Sequence, residues 1–166
     1  AQRVCEWMGG RLPTESEWEY GVSHAREFYP VPWDRTRILF EPEQSCPLAH
    51  VRECPNANLG PRVPCEGDEN PTEDGPLFCD TIGNLSEWTL DPYSPEVTPM
   101  QAEDILNASC EVGATKTLKG GNFQLALTGA GRSPEQLTYY ARQGANCDLP
   151  SPTVGFRCLL PLSSEQ

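Results

Sequence analysis

Apolar residues fall at helical spacing at the start of the chain, where Val4, Cys5 and Met8 recur and Gly9-Gly10 stops the pattern. A second helix announces itself by its N-terminus. Thr14 is a capping residue, and Glu17, three positions on, completes a capping box. Trp18 and Val22 then lie on one face, which predicts a helix over 15–25 with that face turned to the core. From 28 to 78 the periodicity dissolves. Prolines recur from Pro30 to Pro76, interleaved with Cys46, Cys54 and Cys65 and followed by Cys79, and such a segment holds its shape only when cross-linked or packed on something else. Short runs at 85–90, 117–121, 139–142 and 154–160 predict strands, and 91–108 between them reads as a long surface loop. There is no internal repeat and no linker, so the reading is one domain over 1–166.

Composition sharpens the fold class. Of 166 residues, 17 are proline and 14 glycine, which favours turns and irregular connections over long regular elements. The expected class is α+β and loop-rich. A net charge of −12 with no clustered Lys or Arg excludes a nucleic-acid partner. The acidic stretch 66–73 reads as solvated loop surface. Eight cysteines without repeated C-x-x-C spacing point to disulfides rather than zinc, and His24 and His50 stand in no finger-like register. An extracytoplasmic setting, whether secreted, periplasmic or surface-anchored, is therefore expected. No apolar run approaches a membrane span. The opening Ala-Gln-Arg, in what reads as the middle of an element, leads us to expect an N-terminally truncated piece whose targeting segment lies elsewhere.

Three stretches carry a joint signature. The first runs Cys5-Glu6-Trp7-Met8-Gly9-Gly10-Arg11-Leu12-Pro13-Thr14-Glu15-Ser16-Glu17-Trp18-Glu19-Tyr20, and the second Asp80-Thr81-Ile82-Gly83-Asn84-Leu85-Ser86-Glu87-Trp88. The third joins Lys119-Gly120-Gly121-Asn122-Phe123 to Ala141-Arg142 and Gly155-Phe156-Arg157-Cys158. In this order they resemble the formylglycine-generating enzyme, or sulfatase-modifying factor, family. Pro32-Trp33-Asp34 and Ala57-Asn58 resemble two weaker landmarks of it. The resemblance covers nearly the whole chain and the later part of a full family domain.

The resemblance implies a variant of the C-type-lectin-like fold, with few helices, short irregular strands and loops held by calcium and disulfides. It implies a bridge between Cys5 and Cys158. A second family bridge falls near Val22 and Tyr139, where both cysteines are absent. The remaining cysteines stay open in their pairing, with Cys110–Cys147 and Cys65–Cys79 as plausible pairs. Structural calcium is implied at Asp80 and Glu87 through carboxylates and at Gly83 and Leu85 through carbonyls, a hard-oxygen set on a tight turn. On spacing alone, the favoured reading of the two acids is turn-capping or solvated side chains rather than a calcium site. A second calcium position falls on Asn58 and the Leu59 carbonyl with a downstream acid, where the cysteine-rich sequence departs from the family pattern. Of two sequons, that of Asn84 sits inside the calcium turn and is expected to be buried, while Asn107 lies in the loop and is open to a glycan.

Active members of the family oxidise a cysteine of an unfolded sulfatase chain to formylglycine, using oxygen and copper held by two cysteines. This chain has Leu125 and Ala130 at the matching positions, and no cysteine occurs between Cys110 and Cys147. Copper is therefore not expected, because Cu(I) requires soft thiolates at close range. Phe123, Gln124, Tyr140 and Arg142, with Tyr139, line a possible groove or else pack beneath the glycine pair. The expected function is a non-catalytic binding or scaffold module stabilised by calcium and disulfides, with an unknown protein or small-molecule ligand. The alternative is an oxidoreductase of the same family using a different metal site. A sugar-binding lectin ranks last, since the Glu-Pro-Asn and Gln-Pro-Asp triplets are missing.

Overall fold

The computed structural model describes residues 1–23, 46, 49–63, 79–96, 100–126 and 134–161. Helix α1 spans Gln2–Trp7 and ends where Gly9 adopts φ 83° and the Gly10 amide donates to the Cys5 carbonyl at 2.8 Å. Helix α2 spans Glu15–Ser23, and the rest of its expected length, with His24, lies outside the described residues. Its capping box is formed in both directions. The Thr14 amide donates to Glu17 Oε2 at 2.8 Å, and the Glu17 amide donates to Thr14 Oγ1 at 3.2 Å. Two 3-10 turns are described, at Ala57–Leu59 and at Pro134–Gln136.

The described strands are β1 (Ser86–Pro92), β2 (Thr115–Lys119), β3 (Gln143–Asn146) and β4 (Val154–Gly155), in the order β3-β2-β1-β4. Strand β2 lies antiparallel to both β1 and β3, whereas β4 joins β1 in parallel with Ser86 opposite Val154 and Glu87 opposite Gly155. Beyond the sheet, Arg11 and Leu159 exchange backbone hydrogen bonds of 3.0 and 2.8 Å, which brings the first and last motif stretches together. The fold class is α+β and loop-rich, as the composition implied.

Several expectations change. The strand expected at 154–160 is confined to Val154–Gly155, with an isolated bridge at Leu159, and the one expected at 117–121 runs over Thr115–Lys119, ending before the positive-φ Gly120. Residues 139–142 are not a strand. Tyr139 is buried at the edge of Trp18, Ala141 closes a turn onto Thr138, and pairing begins one residue later at Gln143. Strand β3 carries a glycine because a Cβ at Gly144 would strike the Tyr93 ring. The stretch 91–108 is not all loop either. β1 continues to Pro92, and a short helix, α3, forms at Ala102–Leu106 with Ile105 packed beside Leu12 and Leu90.

Two apolar clusters support these elements. Trp18, Val22, Val51, Ile82, Leu137 and Tyr139 form the larger, between α2, the 80–84 turn and the segment before β3. Ile82, Val51 and Leu137 are fully buried, worth about 1.5–3 kcal/mol each. Cys5, Leu12 and Leu90 form the smaller, closed by Trp88 and Cys158.

Candidate functional site

The three motif stretches meet at Trp18. Carried on α2, its side chain is buried in the larger cluster, its Nε1 donates to Glu87 Oε2 at 2.6 Å, and Tyr139 approaches edge-on with centroids 6.4 Å apart. Lys119, the last residue of β2, lies 5.8 Å from the Trp18 ring centroid. The Lys119 side chain is fully buried, with Nζ 2.6 Å from Glu19 and 3.2 Å from Glu15. Arg142 completes this cluster by donating to Glu15 Oε1 at 2.6 Å and to the Ser94 carbonyl at 3.0 Å. In the sequence Lys119 stands within the third motif stretch with no role read for it, although a lysine immediately before a Gly-Gly turn and two helical acids at 15 and 19 were its visible signals.

The N-terminus of α2 has its own charge pattern. Arg11 forks onto Glu17, at 2.6 Å from Nη1 to Oε2 and 2.5 Å from Nη2 to Oε1. This guanidinium pair, helped by the Thr14 bonds and opposed by burial, lowers the Glu17 carboxyl to about 2. From β1, Asp91 accepts the Glu15 amide at 2.6 Å, capping a helix 76 residues earlier. Burial raises the Asp91 carboxyl above its ordinary value, and burial likewise lowers the Lys116 ammonium. Lys116 donates to the Leu90 and Ala108 carbonyls.

The turn before β1 is wound tightly, with positive φ at Asp80 (52°), Gly83 (78°) and Asn84 (56°). Gly83 is required there because a Cβ would lie 2.6 Å from the His50 carbonyl oxygen. The turn is tied to its surroundings by the backbone. The Gly83 amide donates to Gly120, the Asn84 amide to His50, and the Phe123 amide to Asn84, all between 2.7 and 2.9 Å. Asn84 is buried, with its side chain clasping the backbone of Arg62, so its sequon is closed; Asn107, at the end of α3, is exposed.

Both acids of this turn face arginine. Asp80 Oδ1 receives Arg62 Nε at 2.9 Å and Nη2 at 2.7 Å, and the pair is about nine-tenths buried, with side-chain exposures of 10% and 9%. Glu87 receives Arg157 on both oxygens, Nε to Oε2 and Nη2 to Oε1, each at 2.5 Å, in addition to Trp18. Calcium takes 6–8 oxygens at 2.3–2.6 Å, whereas here two guanidinium groups already hold the carboxylates. As placed, Asp80, Gly83, Leu85 and Glu87 do not fit a divalent ion. Asn58 and Leu59 lie in the 3-10 turn with Leu59 79% exposed, and the acids at 66–74 lie outside the described residues. Among the described residues, no three His, Cys, Asp or Glu side chains cluster as a metal site.

The expected groove residues part company. Phe123 is buried and stacks on His50 with centroids 6.3 Å apart. Gln124 and Tyr140 are exposed, and Arg142 belongs to the Glu15 cluster beside Tyr93. Leu125, at the position matching a copper cysteine, packs against the larger cluster, within contact of where a Gly121 Cβ would stand. Ala130, at the other position, lies outside the described residues. Copper has no fit here: no described cysteine is free, and Leu125 offers no donor atom.

Cys5 is bonded to Cys158, Cys110 to Cys147 and Cys46 to Cys54. Cys79 is also disulfide-bonded, and Cys65, its suggested partner, lies outside the described residues. No described helix is long and apolar enough to cross a membrane.

Comparison with known proteins gives a consistent result. The family described as the sulfatase-modifying factor enzyme 1-like domain matches residues 1–162. The chain is 26% identical to the inactive C-alpha-formylglycine-generating enzyme 2 of Mus musculus, over 95% of this chain and 45% of that protein. It is 28% identical to the formylglycine-generating enzyme of Bos taurus, over 95% of this chain and 41% of that one. It thus spans less than half the length of these curated relatives. Among solved structures, Treponema denticola variable protein 1 superposes with a TM-score of 0.58 at 16% identity, covering 88% of this chain and 45% of that one.

Proposed function

Because this chain belongs to the sulfatase-modifying factor family, we propose that it is a non-catalytic member of it, an extracytoplasmic binding or scaffold module held by disulfides. One observation carries the reading. The position where the family resemblance puts a copper thiolate is the apolar, half-buried Leu125, packed against the core, and every described cysteine is committed to a disulfide. Oxidation of a peptide thiol by oxygen needs a centre that handles electrons, and this part of the chain offers no thiolate pair for one. The relatives named as inactive formylglycine-generating enzymes are compatible with such a loss, and the disulfides are compatible with an oxidising compartment.

The retained residues have work to do without catalysis. Trp18, Glu87, Arg157 and the glycine pair hold the sheet to α2, leaving the exposed Gln124 and Tyr140 as adaptable surface. The test is incubation of the purified protein with a CxPxR-type peptide, oxygen and copper. Mass spectrometry should find the cysteine unchanged; its conversion to formylglycine would refute the reading.

A further inference from the structure

Calcium is expected at the 80–87 turn by resemblance, yet both carboxylates there are held by arginine. We propose that Arg62 is the resident cation of this turn, with Arg157 as its counterpart at Glu87, so that the fold needs no structural calcium.

The geometry of Arg62 is that of a tether with several ends. Nε and Nη2 converge on Asp80 Oδ1, while Nη1 donates to the Cys46 carbonyl at 3.2 Å. Its main chain is gripped as well: the amide donates to Asn84 Oδ1 at 2.9 Å, and its carbonyl accepts from Asn84 Nδ2 at 3.3 Å. Arg62 thus links Cys46 of the Cys46–Cys54 bridge, its own segment and both ends of the left-handed turn. A divalent ion in such a turn would draw oxygens from separate segments around one positive centre. A planar guanidinium does so with directional hydrogen bonds, which a buried site rewards. Arg62 also stands three residues beyond Leu59. One side chain therefore connects the segment of the second expected calcium position to the residues of the first.

Charge decides between the two cations. Asp80 and Glu87 carry two negative charges, and Arg62 and Arg157 carry two positive ones, within hydrogen-bond distance. Over these four described groups the charges sum to zero. Calcium added to this buried set would leave two uncompensated positive charges beside two guanidinium groups, an arrangement that low-dielectric surroundings penalise. The Arg157 guanidinium is held in place by a further bond to the Cys79 carbonyl at 3.2 Å.

The experiment uses the protein as expressed, dialysed against EDTA and then melted with and without added calcium chloride. The expected result is no shift in melting temperature. A structural calcium at a hundred times its Kd would raise it by about 5–10 °C, and such a rise overturns the proposal. In parallel, Arg62→Met should melt several degrees below the native protein, and Arg62→Lys should recover only part of the loss, because an ammonium cannot fork. A native melting temperature in Arg62→Met overturns the proposal too. If that variant yields no folded protein, the chelation experiment on the native chain decides alone.

Discussion

The Cys5–Cys158 bridge closes a loop spanning 153 residues of sequence, the longest among the bridges whose two cysteines are both described. In the chain-entropy account, cross-linking a loop of that length stabilises the fold by about 5 kcal/mol. The other bridges shorten the effective loop, since Cys110–Cys147 spans 37 residues and Cys46–Cys54 spans 8. The dependence is logarithmic, so this shortening removes only about 0.3 kcal/mol. At roughly 2–4 °C per kcal/mol for a chain of this size, Cys5→Ala with Cys158→Ala should lower the melting temperature by about 10–20 °C. Cys110→Ala with Cys147→Ala serves as the comparison, with an expected cost of about 4 kcal/mol. Cys5 is fully buried against Leu12 and Leu90, so lost packing widens the gap in the same direction. Thermal unfolding followed by circular dichroism under non-reducing conditions measures both. If the shorter bridge proves as costly as the longer one, the loop-closure reasoning fails.

Two further outcomes follow from local geometry. The Glu17 carboxyl is lowered from 4.5 to about 2 in the fold, so its contribution is complete above pH 4.5 and is lost as the pH falls towards 2. Glu17 and Arg11 are each more than a third exposed, which limits the pair to under about 1 kcal/mol. The native protein should therefore lose its small stability advantage over Glu17→Gln across that window; an advantage unchanged by pH would contradict the assignment. Gly83→Ala places a Cβ 2.6 Å from the His50 carbonyl oxygen at φ 78°, and should cost about 2–3 kcal/mol. A urea midpoint equal to that of the native protein would show that the turn relaxes.

What could be read from sequence was local or shared with the family. The capping box at Thr14 and Glu17 needs only four consecutive residues, and it forms as read. The sheet strands at 86–92 and 115–119 were visible, up to two residues out at their ends as 85–90 and 117–121, because apolar and β-branched residues cluster there. Strand β3 was not visible, because Gln143-Gly144-Ala145-Asn146 has little intrinsic preference for extension and is ordered by pairing with β2. The arginine pairs were hidden for a related reason. Arg62 and Asp80 are 18 residues apart, and Arg157 and Glu87 are 70 apart, so no spacing rule connects them. Of the residues read as groove lining or as packing beneath the glycine pair, Phe123 is buried against His50 while Gln124 and Tyr140 are exposed. The turn at 138–141 separates Phe123 from Arg142 and sends the arginine to α2.

The junction of Trp18, Glu87 and Arg157 also bears on how such proteins are found. The residues that make this chain recognisable are those that join α2, β1 and the segment after β4. Selection for foldedness alone would preserve them after the loss of any reaction. A search profile weighted on these positions therefore recovers working and silenced members with nearly equal ease. The proposed distinction turns on two positions matched by resemblance, occupied here by Leu125 and Ala130. Sorting the members of this family by activity requires reading those two columns separately from the rest.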